Sequence, residues 1–209
     1  MRILIVDDHV AVRRGLSDMI STEIEGTQFG LAESESEAIN LVSTANWDVA
    51  ILDLNLKARG GIDLIRSIKD QQPGVRILIY TMHPEEQFGL MALRAGADGY
   101  LTKDAEPEEL IRALKRIYSG NRYISPRLAE YLAQTVASGK PAGPQMLLSD
   151  REYQVLGGLA IGKSLTQIGE ELRLSVKTIS TYRARVLEKL HLANNSELVR
   201  YALENKILK

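Results

Sequence analysis

Three aspartates, a threonine and a lysine stand out because each closes or follows a short apolar run. Asp7 and Asp8 end "RILIVDD", Asp53 ends "DVAILD", Thr81 ends "RILIYT" and Lys103 ends "DGYLTK". Two adjacent carboxylates leaving a buried strand repel each other, and burying either one unpaired is costly. A hard divalent cation relieves that repulsion, and Mg²⁺ accepts a few carboxylates together with phosphate oxygens and water. Three acids, a hydroxyl and an ammonium therefore suit a phosphoryl group. The metal and Lys103 neutralise its oxygens, Thr81 donates a hydrogen bond, and one carboxylate serves as nucleophile to give an aspartyl phosphate.

These residues meet only if a particular scaffold brings them together. From residue 1 to about 118, the runs "RILIV", "TQFGLA", "DVAILDL", "VRILIY" and "DGYL" alternate with segments of helical period such as "ESEAINLVSTA", "GIDLIRSIKD" and "EEQFGLMALRAG". Short continuous apolar strands separated by helices predict a parallel sheet covered on both faces. Five β-α units predict a doubly wound domain, with 2-1-3-4-5 the favoured strand order among the few that right-handed crossovers leave. Strands one and three are then neighbours, and their carboxyl ends carry Asp7, Asp8 and Asp53 to one rim, where such sheets bind ligands.

After residue 118 the pattern changes. Residues 119–147 read as a linker containing one helix, "SPRLAEYLAQTVA", with Ser125 as N-cap and Pro126 at the first helical position, followed by the flexible "SGKPAGP". From Leu148 to Lys209 only helices are expected. "SDRE" and "SLTQ" both fit the capping box, and Ser175 is a third N-cap. The fold class is thus α/β followed by all-α.

Charge divides the same way. Residues 1–118 carry 13 Lys and Arg against 19 Asp and Glu, whereas residues 148–209 carry 10 against 7. An acidic first domain and a basic last one imply different partners. There are no cysteines, which removes disulfides, thiolate metal sites and a cysteine nucleophile and fits a reducing cytoplasm. No apolar run reaches the roughly 20 residues of a membrane span, so no membrane partner is expected.

The basic tail has its own chemistry. A short helix over 165–172, a tight turn over "RLS" and a longer helix from Val176 to about Leu190 form a helix-turn-helix pattern. On a helical wheel Val176, Ile179, Tyr182, Val186, Leu187 and Leu190 gather on one side. Lys177, Thr181, Ala184, Arg185 and Glu188 face away, with Ser180 on the flank. A free face that is small, hydroxylic and basic suits the major groove of double-stranded DNA. Ala184 permits close approach, Ser180 and Thr181 reach bases or phosphates, and Lys177 and Arg185 neutralise phosphates or read guanine.

"VDDH", "LDL", "YT" and "LTK", in this order and spacing, resemble the receiver domain of two-component response regulators over residues 1 to about 118. "LSDRE", "GKSLTQIGEELRLSVKTISTYRARVLEKL" and "SELVRYAL" resemble the LuxR-type DNA-binding domain of the NarL/FixJ subfamily. The resemblance implies a CheY-like receiver and a four-helix output domain. It makes Asp53 the phosphoacceptor. Asp8 and Asp53 hold Mg²⁺ through their side chains, Asp7 mainly through water, and Asn55 through its backbone carbonyl. Thr81 and Lys103 contact the phosphoryl group, and Tyr100 is the aromatic that changes rotamer on activation. A sensor histidine kinase is the implied donor, a homodimer the implied active form, and DNA and RNA polymerase the implied downstream partners. The last helix, roughly 195–204, is implied as a dimer surface. Phosphorylation acts either by releasing the recognition helix from the receiver or by dimerisation, through the face around residues 84–118 or the one around the first and fifth helices.

The chain departs from the family at several places. Lys57 replaces the proline usually found four residues after the acceptor, although Gly61 matches the family glycine. Asp104 follows the site lysine where proline with a cis bond is common, and this leaves the isomer of that bond open. Met82 is expected to crowd the phosphoryl pocket. Asn55 and His83 occupy positions that tune phosphoryl lifetime. Tyr182 stands where many relatives have histidine, and "NNSE" lacks a frequent arginine. Plainer roles compete with the functional ones: Asp8 as a helix cap, His9 as a solvent-facing or capping residue, Tyr100 as an ordinary edge-strand aromatic, Leu198, Tyr201 and Ala202 as core. Two other functions compete as well, a Mg²⁺-dependent phosphohydrolase with Asp53 as nucleophile, and a DNA binder whose first domain is only a scaffold. The reading favoured here is a non-enzymatic, phosphorylation-controlled transcription factor.

Overall fold

The structure is a computed structural model that describes residues 1–56, 61–137 and 148–204. Lys57 and the "SGKPAGP" segment lie outside the described residues. The chain forms two compact units, Met1–Pro141 and Ala142–Lys209.

The first unit alternates strand and helix: β1 (Arg2–Val6), α1 (Val10–Glu23), β2 (Gln28–Ala32), α2 (Glu35–Thr44), β3 (Val49–Leu52), α3 (Gly61–Gln71), β4 (Arg76–Thr81), α4 (Glu85–Ala95), β5 (Gly99–Thr102) and α5 (Pro107–Tyr118), followed by α6 (Pro126–Ala137). The five strands form one parallel sheet in the order β2-β1-β3-β4-β5. β3 is apolar at every position, and β1 and β4 carry continuous apolar runs after their first arginines, because helices cover both faces. Ile3, Ile5, Val49, Ile51 and Leu78 pack with Leu16 and Ile20 of α1 and with Leu110, Leu114 and Ile117 of α5. By the two-residue period of a strand, Leu4, Val6, Ala50 and Leu52 face the other layer, where Ile62, Ile65 and Ile68 of α3 are buried. Each such side chain contributes about 1.5–3 kcal/mol by leaving water.

The edges of the domain depend on contacts that periodicity does not reveal. Trp47 lies flat against Gly30, where a Cβ would fall 2.3 Å from the indole, and its Nε1 donates to the Leu41 carbonyl at 3.0 Å. At the amino end of β5, the buried Asp98 carboxylate accepts from Lys69 Nζ, Arg76 Nη1 and the Ile77 amide, each at 2.9 Å. Burial alone would raise its pKa. The lysine, the amide and the arginine outweigh burial and hold it below the ordinary value.

The second unit is helical: α7 (Asp150–Ala160), α8 (Leu165–Leu172), α9 (Val176–Lys189) and α10 (Asn195–Glu204). Ser149 and Ser164 each close a full capping box, with Glu152 and Gln167 returning to the cap amides, and Ser175 accepts from the Thr178 amide. Val155, Leu156, Ile168, Ile179, Val186, Leu198 and Ala202 form one core. Among the described residues no helix is long and apolar enough to cross a membrane, and no peptide bond is cis, Lys103–Asp104 included.

Asp98→Asn should lower the stability of the first unit by about 3 kcal/mol, because two cations lose their shared anion in a buried site. The wild-type contribution is present above the ordinary aspartate value of 3.8 and is lost as pH falls through the lowered folded value. Urea unfolding at neutral pH and in acid should therefore show the difference between the two proteins shrinking as the acid end is reached.

Candidate functional site

Adjacent strands bring the acids together. β1 and β3 pair with Val6 beside Leu52, so Asp7 and Asp53 follow immediately at neighbouring strand ends. The Asp53 amide donates to the Val6 carbonyl at 2.9 Å and the Lys103 amide to the Thr81 carbonyl at 2.8 Å, which extends the ladder to the rim. Lys103 Nζ then lies 2.6 Å from Asp7 Oδ2 and 2.6 Å from Asp53 Oδ2. Both carboxylates are almost fully buried. Burial opposes the Lys103 charge, but hydrogen bonding to Asp53 and Asp7 outweighs it and holds the ammonium above its ordinary pKa.

The remaining oxygens are also engaged. Asp53 Oδ1 accepts from the Asn55 amide at 3.0 Å, and Asp7 Oδ1 accepts from the His9 amide at 2.8 Å. His9 Nδ1 lies 2.8 Å from Asp8 Oδ1 and 3.2 Å from Asp7 Oδ1, with its ring largely in solvent. Donor atoms of Asp7, Asp8 and His9 lie within 4.8 Å of one another. Asp8 does not cap α1. The N-cap is His9, and it too makes no side-chain cap.

Three carboxylates face one ammonium, which leaves two negative charges on oxygen donors at one rim. That donor set fits a hard dication such as Mg²⁺, with Asp7, Asp8, Asp53 and the Asn55 carbonyl available to hold it. Gly61 is needed to start α3 here, since a Cβ would fall 2.6 Å from Leu54 Cα.

Thr81 and Tyr100 frame the loop between β4 and α4. Both are fully buried. The Thr81 hydroxyl accepts from the His83 amide at 3.4 Å, and the Tyr100 hydroxyl donates to the His83 carbonyl at 3.0 Å. One loop residue is thus tied to both. Met82, the residue after Thr81, is 73% exposed.

Sequence reading missed Arg13. Its Nη1 donates to the Asp7 carbonyl at 2.5 Å and its Nη2 lies 3.7 Å from Glu33, while the residue is mostly buried. The signal was present. Arg13, Leu16 and Ile20 form the buried stripe of α1, and a cation on an apolar stripe calls for an acceptor.

In the second unit α8, the turn and α9 take the expected arrangement. Arg173 adopts a left-handed conformation, the Leu174 amide returns to the Gly169 carbonyl at 2.8 Å, and a Cβ on Gly169 would meet the Leu174 carbonyl at 2.8 Å. Lys177, Ser180, Thr181, Ala184 and Arg185 are all exposed along one face of α9. Val176 differs from the wheel: it is 46% exposed, although Ile179 in the same turn is fully buried. Arg183 Nε donates to Asn195 Oδ1 at 2.6 Å, which joins α9 to α10. Lys189 reaches the buried Glu152 at 2.7 Å. Leu198 and Ala202 are fully buried and belong to the core, whereas Leu203 on the same helix is 61% exposed.

The comparisons agree with this geometry. A family model of the response regulator receiver domain matches residues 3–115, and one of the luxR family of bacterial regulatory proteins matches residues 146–202. The chain belongs to the NarL/FixJ subfamily of two-component response regulators. It is a DNA-binding response regulator. It is 34% identical over 207 residues to the response regulator GacA of Pseudomonas aeruginosa, covering 98% of this chain and 96% of that one. It is 33% identical over 207 residues to the response regulator UvrY of Escherichia coli K12, covering 98% and 94%. Among solved structures, RcsB of Salmonella enterica serovar Typhimurium, bound to promoter rprA with the phosphomimetic BeF3⁻, aligns at 29% identity with a TM-score of 0.62, covering 96% of this chain and 97% of that one.

Lys103→Met should destabilise this regulator's receiver in metal-free buffer by about 2 kcal/mol, because Asp7 and Asp53 lose their shared cation. The wild-type contribution is full below the ordinary lysine value of 10.5 and is lost as pH rises through the raised folded value. Denaturant titrations in a chelating buffer should show an alkaline decline in the wild type that the variant lacks.

Proposed function

We propose that Asp53 accepts a phosphoryl group from a sensor histidine kinase in a Mg²⁺-dependent step, and that this modification alters dimerisation or domain contacts and so controls sequence-specific DNA binding and transcription. The observation that carries the reading is Lys103 Nζ at 2.6 Å from both Asp7 and Asp53. A cation fixed between the acceptor and its neighbour is placed to neutralise an arriving phosphoryl oxygen.

In the step, an Asp53 carboxylate oxygen forms a bond to phosphorus as the donor's phosphorus–nitrogen bond breaks, and the departing imidazole nitrogen takes up a proton. The Asn55 amide orients the acceptor through Oδ1. Asp7, held by Lys103 and by the His9 amide, would take part in holding the metal mainly through water, as the resemblance implies. Asp8, Asp53 and the Asn55 carbonyl would hold the metal directly. Bound Mg²⁺ supplies charge neutralisation for the phosphoryl oxygens.

The modified Asp53 carries additional negative charge at the rim. The Thr81 hydroxyl leaves the His83 amide for a phosphoryl oxygen, and the β4–α4 loop, which Tyr100 holds by the same residue's carbonyl, shifts with it. The site modifies its own chain and turns over no external substrate. In the output domain Lys177, Ser180, Thr181, Ala184 and Arg185 face the major groove. The RcsB structures include two dimers on DNA, and a homodimer of this chain would place two copies of α9 on half-sites about one helical turn apart. The same chemistry fits a cytoplasmic protein.

Acetyl phosphate with Mg²⁺ should add the mass of one phosphoryl group to the wild type and none to Asp53→Asn, read by intact mass spectrometry, with no turnover of a generic phosphate ester by either. Equal labelling of both proteins would reject the assignment. In DNA binding, Lys177→Ala or Arg185→Ala should each reduce the slope of log affinity against log salt by about 0.9 if the residue contacts one phosphate. An unchanged slope would remove that residue from the interface.

A further inference from the structure

After α5 the chain runs back over the receiver and is fastened at three places. Tyr123 pairs with Gly99 at the edge of the sheet, its amide donates to the Asp98 carbonyl at 2.9 Å, and its hydroxyl donates to Glu109 Oε1 at 2.5 Å. Burial and the Glu109 carboxylate push that phenol up to about 12. Ser125, 6% exposed, donates its hydroxyl to the buried Glu85 carboxylate and accepts from the Leu128 amide at 3.0 Å. Leu128, fully buried, sits in the notch left by Gly89, where a Cβ would approach it to 2.7 Å. Arg127 adds an ion pair to Glu86, exposed on the arginine side.

These fastenings differ in what they grip. Tyr123 grips the amino end of β5, at Asp98 and Gly99, and Glu109 of α5. Ser125 and Leu128 hold the first two turns of α4, and Glu85 is only two residues beyond His83, whose amide and carbonyl are tied to Thr81 and Tyr100. A buried carboxylate with a serine donor tolerates little displacement, because an unpaired charge there is costly. A close-packed leucine in a glycine notch is equally intolerant. Any shift of the loop is therefore transmitted to this seam.

We propose that residues 123–128 and α6 form a strap whose Ser125–Glu85 clasp and Leu128 wedge read the state of the β4–α4 loop, and that phosphorylation of Asp53 loosens them. This rests on the phosphoacceptor reading above. Tyr123 remains as the anchor, so the strap pivots and does not detach. The chain continues from α6 toward the output domain, and the strap is the covalent route by which the receiver's state reaches it. While seated, α6 also occupies the α4 surface and denies it to a second receiver.

The test is hydrogen exchange of the full chain, with and without acetyl phosphate and Mg²⁺, and with Asp53 modification followed by mass in the same samples. In the wild type, amides of residues 125–134 should exchange about tenfold faster after phosphorylation, the change expected for losing a hydrogen bond to a charged group. Ser125→Ala and Leu128→Ala should show that fast exchange already without the phosphodonor, with unchanged labelling of Asp53 and DNA affinity that no longer responds to it. Glu85→Gln, which keeps an acceptor for Ser125 but no charge, should stay slow without the phosphodonor and show a smaller rise with it. Full labelling with no change in exchange overturns the strap alone. Absence of labelling overturns the phosphoacceptor reading and the strap with it. Variants that are merely less stable but retain the phosphorylation-dependent difference also overturn it.

Discussion

The ammonium of Lys103 between Asp7 and Asp53 is the interaction on which the receiver turns. Two buried carboxylates at adjacent strand ends repel each other, and a cation between them relieves that repulsion. One lysine satisfies that pair and still leaves excess negative charge at the rim once Asp8 is counted. The excess makes the site receptive, since it is compensated well enough to fold and poorly enough to draw in a dication and, with it, a phosphoryl group.

The opposite end of the same sheet shows the alternative. Asp98 is also buried, yet Lys69, Arg76 and the Ile77 amide saturate it. Nothing is left over for a ligand. Two acidic positions on one sheet thus divide into a structural and a chemical role by their charge balance, not by residue type. Arg13 belongs with the chemical end in location and with the structural end in behaviour: it grips the Asp7 carbonyl and leaves both carboxylate oxygens to Lys103 and His9.

A similar division runs through the second unit. Arg183 and Arg185 are two residues apart on α9, but Arg183 is committed to Asn195 and Arg185 is exposed. Lys189 is drawn to Glu152 while Lys177 stays in solvent. The bundle uses its cations on the packed side as internal ties between helices. Those on the far side of α9 remain available for phosphates. The closeness of α8 and the turn, which only a glycine at 169 permits, fixes the angle at which that face is presented.

The sequence by itself determined the strand-helix alternation, the strand order, the placement of Asp7, Asp53, Thr81 and Lys103 at strand tips, the capping serines, and the exposed face of α9. All of these follow from local periodicity, short-range capping chemistry and the handedness of crossovers, which adjacent residues encode. Tertiary structure alone decided the pairings between distant side chains. Lys103 with Asp7 and Asp53, Asp98 with Lys69 and Arg76, Tyr100 with the His83 carbonyl, and Ser125 with Glu85 all join residues far apart in the chain, and no spacing rule announces them. Val176 shows the same limit from the other side. Its wheel position is on the apolar side, yet it is 46% exposed, and a wheel does not say whether a neighbour covers a given position. Periodicity states which face a residue occupies, and only packing states what that face meets.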